Sequence, residues 1–301
     1  ANSQDVILGK NEGTNFTGSL LVGHATSGTL DTATYNTGVG ITALDALTTG
    51  DFNVGVGHDA LTDVTTGSSN IGIGQGAGLN IDSGNKNIAI GRSTLYSTSG
   101  GDFNVVIGYA SGQYNTATGN TYVGYQAGLR NASGVGNVAL GYEALEGVAS
   151  NNHSYNTAIG QQSNELVTTG GYNVTVGYTS GDNITSGDGN IIIGSVDADS
   201  ATGDRQLKIA GYDGSTTTTW ISGDNAGKVT VAGALQVSGA VTVGVDDTGL
   251  DVKLFGASAG AYMEWDESAD QLRIIGASAD ATTSTGKLLL ATSLTDINAN
   301  D

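Results

Sequence analysis

Short apolar stretches alternate with polar turns along the whole first two thirds of the chain, and the apolar stretches share one signature. It runs Asn, a β-branched residue, a variable residue, an aliphatic residue, Gly. It reads NTGVG ending at Gly40, NVGVG at Gly57, NIGIG at Gly74, NIAIG at Gly91 and NVVIG at Gly108. It continues as NTYVG at Gly124, NVALG at Gly141, NTAIG at Gly160, NVTVG at Gly177 and NIIIG at Gly194. The spacings between these glycines are 17, 17, 17, 17, 16, 17, 19, 17 and 17 residues. Degenerate copies, SLLVG ending at Gly23 and DVILG ending at Gly9, precede them, as expected where a stack needs a cap.

Each copy carries a second element. Three residues after the glycine comes a small residue followed by Leu or Gly, as in Ala43-Leu44, Ala60-Leu61, Ala77-Gly78, Ser111-Gly112, Ala127-Gly128 and Ala144-Leu145. A polar turn follows, such as TTG at 48–50 and 65–67 or DSG at 82–84. One repeat is therefore a strand, a tight turn, a short second strand and a second turn, which is one coil of a β-solenoid (a β-roll). The spacing predicts an all-β solenoid of about twelve coils over residues 1–194, rising ~4.8 Å per coil. The 19-residue spacing predicts a bulged turn near Ser150–His153. The aliphatic pair flanking the variable position, such as Val54 and Val56, shares one strand face and is expected to form the core. The variable residue is often tiny, as at Gly38, Gly55, Gly72, Ala89, Ala139 and Ala158. It is expected to face outward and leave room for a neighbouring chain. The signature asparagines should stack as a ladder, their amides bonding turn backbone.

After Gly194 the period breaks. Residues 195–226 read as a linker and β-hairpin. A hexad repeat with Gly227, Gly233 and Gly239 occupies a neck at 227–245, and an antiparallel β module fills 246–301, with strands LDVKLF, AYMEWDE and QLRIIG and a later strand KLLLAT.

Composition narrows the partners. The chain has 49 glycines, no proline and no cysteine, with a formal net charge of −19. So acidic a surface repels nucleic acid and anionic membranes. No apolar run reaches the length of a membrane helix, so no membrane insertion is expected. A core of two aliphatic residues and one Ala-Leu pair per coil is thin, which predicts a parallel homotrimer.

The chemistry is sparse. His24, His58 and His153 lie far apart without metal-ligand spacing. The expectation is no catalytic residue, no metal and no cofactor. Glu146, Glu165 and Asp182 each lie five residues after a signature glycine, so adjacent coils should stack them roughly 5 Å apart. A solvated acidic face, a cation site and a hydrolytic carboxylate pair are the readings open there. Tyr262 and Trp265, with Phe255, are candidates for stacking on glycans or for the small core of the distal module. Tyr109, Tyr125, Tyr142 and Tyr178 each follow a signature glycine directly and mark a possible stripe.

The stretch N-V-A-L-G-Y-E-A-L at 137–145 resembles the head repeats of trimeric autotransporter adhesins, which form trimeric β-rolls. The 17-residue form with TTG turns is more similar to the adhesin-like repeats of bacteriophage tail fibre proteins. That resemblance implies a homotrimeric structural fibre at an extracellular or virion surface. It further implies attachment to a host surface glycan or receptor alongside other appendage proteins. The passenger region of a bacterial trimeric adhesin is the alternative within the class. A polysaccharide-degrading β-solenoid enzyme is the alternative from another class.

Overall fold

The computed structural model describes residues 9–11, 18–23, 31–148, 152–241, 243, 252–255, 261–266, 268 and 271–275. It divides into two compact units, residues 1–234 and 235–301. Among the described residues there is no helix.

The first unit is the expected β-solenoid. Strand β1 (Gly9–Asn11) pairs antiparallel with β2 (Leu20–Val22), and from β2 to Ile193 the strands run parallel. Ten three-residue strands, β3 (Thr37–Val39) to β12 (Ile191–Ile193), each contribute the three residues before a signature glycine. They pair in strict register: Val54 opposite Ile71, Ile71 opposite Ile88, Thr157 opposite Val138. Register holds across the 19-residue spacing. Residues 150 and 151 of the expected bulge lie outside the described residues.

The expected linker at 195–204 instead carries the chain round a further turn. Strand β13 (Leu207–Tyr212) pairs parallel with β12. From there β14 (Thr217–Gly223) and β15 (Val229–Val231) close the sheet antiparallel. The first hexad repeat therefore supplies an edge strand.

The facing of the strands is the reverse of the expectation. The variable residue at the centre of each signature strand points inward, and Ala89, Val106, Tyr122, Ala139, Ala158 and Ile192 are fully buried. The aliphatic pairs point outward and stay partly exposed. The coil is so narrow that its interior admits one side chain per strand. The other inward positions lie four and seven residues after the glycine, as at Leu44 and Leu47 or Leu61 and Val64.

Volumes across this interior compensate. The central strand residue faces the residue six further on. Gly38 and Ala89 stand six residues before Leu44 and Leu95, whereas Val106, Tyr122 and Thr175 stand six before Gly112, Gly128 and Gly181. Leucines of the preceding coil, Leu21 and Leu44, also fill the space over Gly38 and Gly55. A Cβ on Gly128 would lie 2.6 Å from the Tyr122 ring, and one on Gly112 would lie 3.1 Å from Val106. Where both partners are small, at Gly72 and Gly78, Leu61 of the preceding coil fills the space. Such jigsaw packing brings a thin interior to native density.

The signature glycine has its own cause. Gly91 has φ +131°, and a Cβ there would meet the carbonyl oxygen of Gly108 in the next coil at 2.4 Å. Neighbouring coils touch backbone to backbone at this corner, so a side chain cannot enter.

The asparagine ladder forms as expected and is wholly buried. Asn87 Oδ1 accepts the backbone N–H of Asn104 at 3.0 Å and its side-chain amide at 3.0 Å. Asn87 Nδ2 donates to the turn carbonyl of Gly101 at 2.7 Å. The ends are terminated by other residues: the Ser19 hydroxyl accepts from Asn36 N–H, and Gln206 donates backbone and side-chain N–H groups to Asn190.

The second unit holds a three-stranded antiparallel sheet, β16 (Val252–Phe255), β17 (Tyr262–Asp266) and β18 (Gln271–Ile275), matching the expected meander. Glu264, buried at its centre, pairs with Lys253 at 2.8 Å and Arg273 at 3.5 Å. The KLLLAT strand lies outside the described residues.

Candidate functional site

The acidic column forms on the turn side of the solenoid, but its members part into two groups. Glu146 and Glu165 meet Glu143, and one carboxylate oxygen from each lies within 4.8 Å of the others. Arg130 occupies the same corner, its Nη1 2.6 Å from Glu146 Oε1. Burial pushes the Glu146 carboxyl above the usual range, Arg130 opposes that, and Glu143 and Glu165 add to it. Glu165 rises by desolvation and by the charge of Glu143. Three carboxylates at this spacing supply hard oxygen donors of the kind that hold a divalent cation, with Arg130 already offsetting one charge. The Glu146–Glu165 pair also has the short separation of a retaining glycosidase pair.

Asp182 turns to Asp197 of the final coil. The two carboxyls share a hydrogen bond, and burial, then that bond and the Asp197 charge, push Asp182 up to about 7. They line a cavity of about 230 Å³ together with Thr179, Ser195 and Thr217. Asp197 and Glu143 were not singled out from the sequence. Asp197 sits in the stretch taken for a linker, and Glu143 sits two rather than five residues after its glycine. Counting both columns on one turn face would have found Glu143.

The aromatics form ladders. Tyr109, Tyr125 and Tyr142 stack at 5.3 and 5.0 Å with nearly parallel rings. Tyr178 is separated from them by Gln161 in the intervening coil. A second ladder, missed in the sequence, uses the residue just before the signature asparagine. Tyr35 stacks on Phe52 and Tyr155 on Tyr172, each at 5.0 Å, and the Lys86 ammonium lies 4.9 Å from the Phe103 centroid. Stacking covers both faces of Tyr125 and one face each of Tyr35, Phe52, Tyr109, Tyr142, Tyr155 and Tyr172, so these aromatics brace neighbouring coils.

In the distal sheet Tyr262 and Trp265 are three residues apart on one strand and so lie on opposite faces. They cannot grip one ligand together. Tyr262 packs edge-on against Phe255 with centroids 6.3 Å apart and carries Lys253 over its ring at 4.2 Å. Phe255 and Trp265 are exposed, so among the described residues these aromatics do not form the expected small core.

Comparison of the chain with protein-family models, with curated proteins and with solved structures found no match. The functional reading therefore rests on the residues themselves.

Proposed function

We propose that this chain is a non-enzymatic structural and adhesive fibre component that works outside a cell or on a virion as a parallel homotrimer. The observation that supports it is the outward strand face. Twenty side chains at the two flanking positions of β3 to β12 are all Val, Ile, Leu or Thr, with no charge among them. The strip runs about 45 Å at ~4.8 Å per strand. A continuous apolar strip of that length marks an interaction surface. On a chain of net charge −19, copies repel one another except where a surface is uncharged. Closed symmetry would cover three such faces and leave none open.

Attachment to a host surface glycan or receptor follows from the resemblance of the repeats to tail fibre repeats. The test is adsorption of the purified protein to immobilised envelope polysaccharides, expected to saturate without release of oligosaccharides. The rival reading, polysaccharide hydrolysis, draws on the Glu146–Glu165 pair. Oligosaccharide release that disappears in Glu165→Gln would replace the structural reading with it.

A further inference from the structure

The residue two after each signature glycine from Gly40 to Gly177 takes the left-handed conformation. Along the solenoid this column carries Thr42, Asp59, Gly76, Ser93, Ala110, Gln126, Glu143, Gln162 and Thr179. Gly76 alone in the column has no side chain. Beside it lies a cavity of about 370 Å³, lined by Asp59, Gln75, Arg92, Ser93, Tyr96 and Gln113 together with Gly76. That volume lies at the low end for small-molecule sites.

We propose that this cavity is a subsite for an uncharged pyranose sugar. The proposal rests on the adhesive reading above and deepens it. Three features point to such a ligand. Tyr96 leans over Gly76, so close that a Cβ there would meet its Cε2 at 3.2 Å, and with Leu79 it offers an apolar wall for a C–H face. Arg92 forms no ion pair among the described residues; its guanidinium lies 5.9 Å from the Tyr109 centroid, with fork donors suited to vicinal hydroxyls. Gln75 and Gln113 add amides that both donate and accept, one on either side of the coil that holds Arg92. Charge selects against the alternatives. Asp59, held by Thr42 and by His58 at 2.7 Å, opposes an anionic sugar, and Arg92 opposes a cation.

The test is saturation-transfer NMR on the full chain with methyl glucoside, galactoside and mannoside and with N-acetylglucosamine, each at tens of millimolar. At least one is expected to respond with a millimolar Kd. Gly76→Gln should abolish the response. Gln126 and Gln162 hold glutamine at the same left-handed position, and here the Tyr96 ring must give by a few tenths of an ångström to admit it; a circular dichroism melt checks that the coils stay folded. Arg92→Gln should weaken binding about tenfold. No response from any probe, or one that survives Gly76→Gln, overturns the subsite. Adsorption to polysaccharide is measured in parallel. Adsorption without a pyranoside response overturns the subsite alone. A pyranoside response without adsorption supports the subsite and removes the adhesive reading.

Discussion

His153 shows what a single buried residue can contribute. It stands where most coils have glycine, three residues before the signature asparagine, and neither ring nitrogen has a hydrogen-bond partner. Burial lowers its pKa to about 4. The ordinary value is near 6.5, so the unfolded chain takes up the proton first. Stability should fall as pH drops below 6.5 and level off below 4, by about 3 kcal/mol at most. His153→Leu should remove this component, so its melting temperature minus that of wild type should grow between pH 6.5 and 4. Asp182 has the opposite sign, because its folded pKa is raised: the fold prefers it protonated. Asp182→Asn should therefore raise the melting temperature at pH 8 and by much less at pH 4, because the penalty builds between the ordinary value and about 7. A constant offset between those two pH values would contradict the shared hydrogen bond with Asp197.

At the scale of the coil, the asparagine ladder and the compensated interior carry the fold. Replacing Asn87 by Ala strands the Gly101 carbonyl and the Asn104 N–H in a buried place, and should cost about 3 kcal/mol in denaturant unfolding. The volume rule makes a sharper prediction. Gly128→Leu should clash with Tyr122, and Tyr122→Ala should leave a cavity costing about 3–5 kcal/mol. The double variant recreates the pairing of Ala139 with Leu145 and should recover much of that loss, which a double-mutant cycle measures. Additive losses would contradict the pairing. The period, the strands and the ladder were legible in the sequence because each depends on spacing alone. The facing of the strands was not. An aliphatic–variable–aliphatic triplet ordinarily buries its outer pair, but in so narrow a coil only the centre fits inside. The signal was nevertheless present in the sequence: Gly38 with Leu44 and Tyr122 with Gly128, six residues apart, trade volume as packed residues do. The acidic column was legible as spacing, while Arg130 and Asp197, which decide its electrostatics, belong to other positions of the coil. Gly72→Leu overfills the interior at Leu61, so outward residues such as Ile73 test assembly.

At the scale of the molecule, one apolar face and a large negative charge oppose each other. Association through the strand face should strengthen with salt, because screening removes repulsion between copies while leaving apolar burial intact. Ile73→Lys combined with Ile159→Lys places charge on that face, away from the solenoid interior, and should dissociate the assembly without unfolding the coils. The most direct measurement is the mass of the purified chain by light scattering in 150 mM salt. The account predicts a single species of three chains, each of 30.1 kDa, converted to the single-chain mass by the double lysine variant. A folded, monodisperse wild-type protein at 30.1 kDa would contradict it.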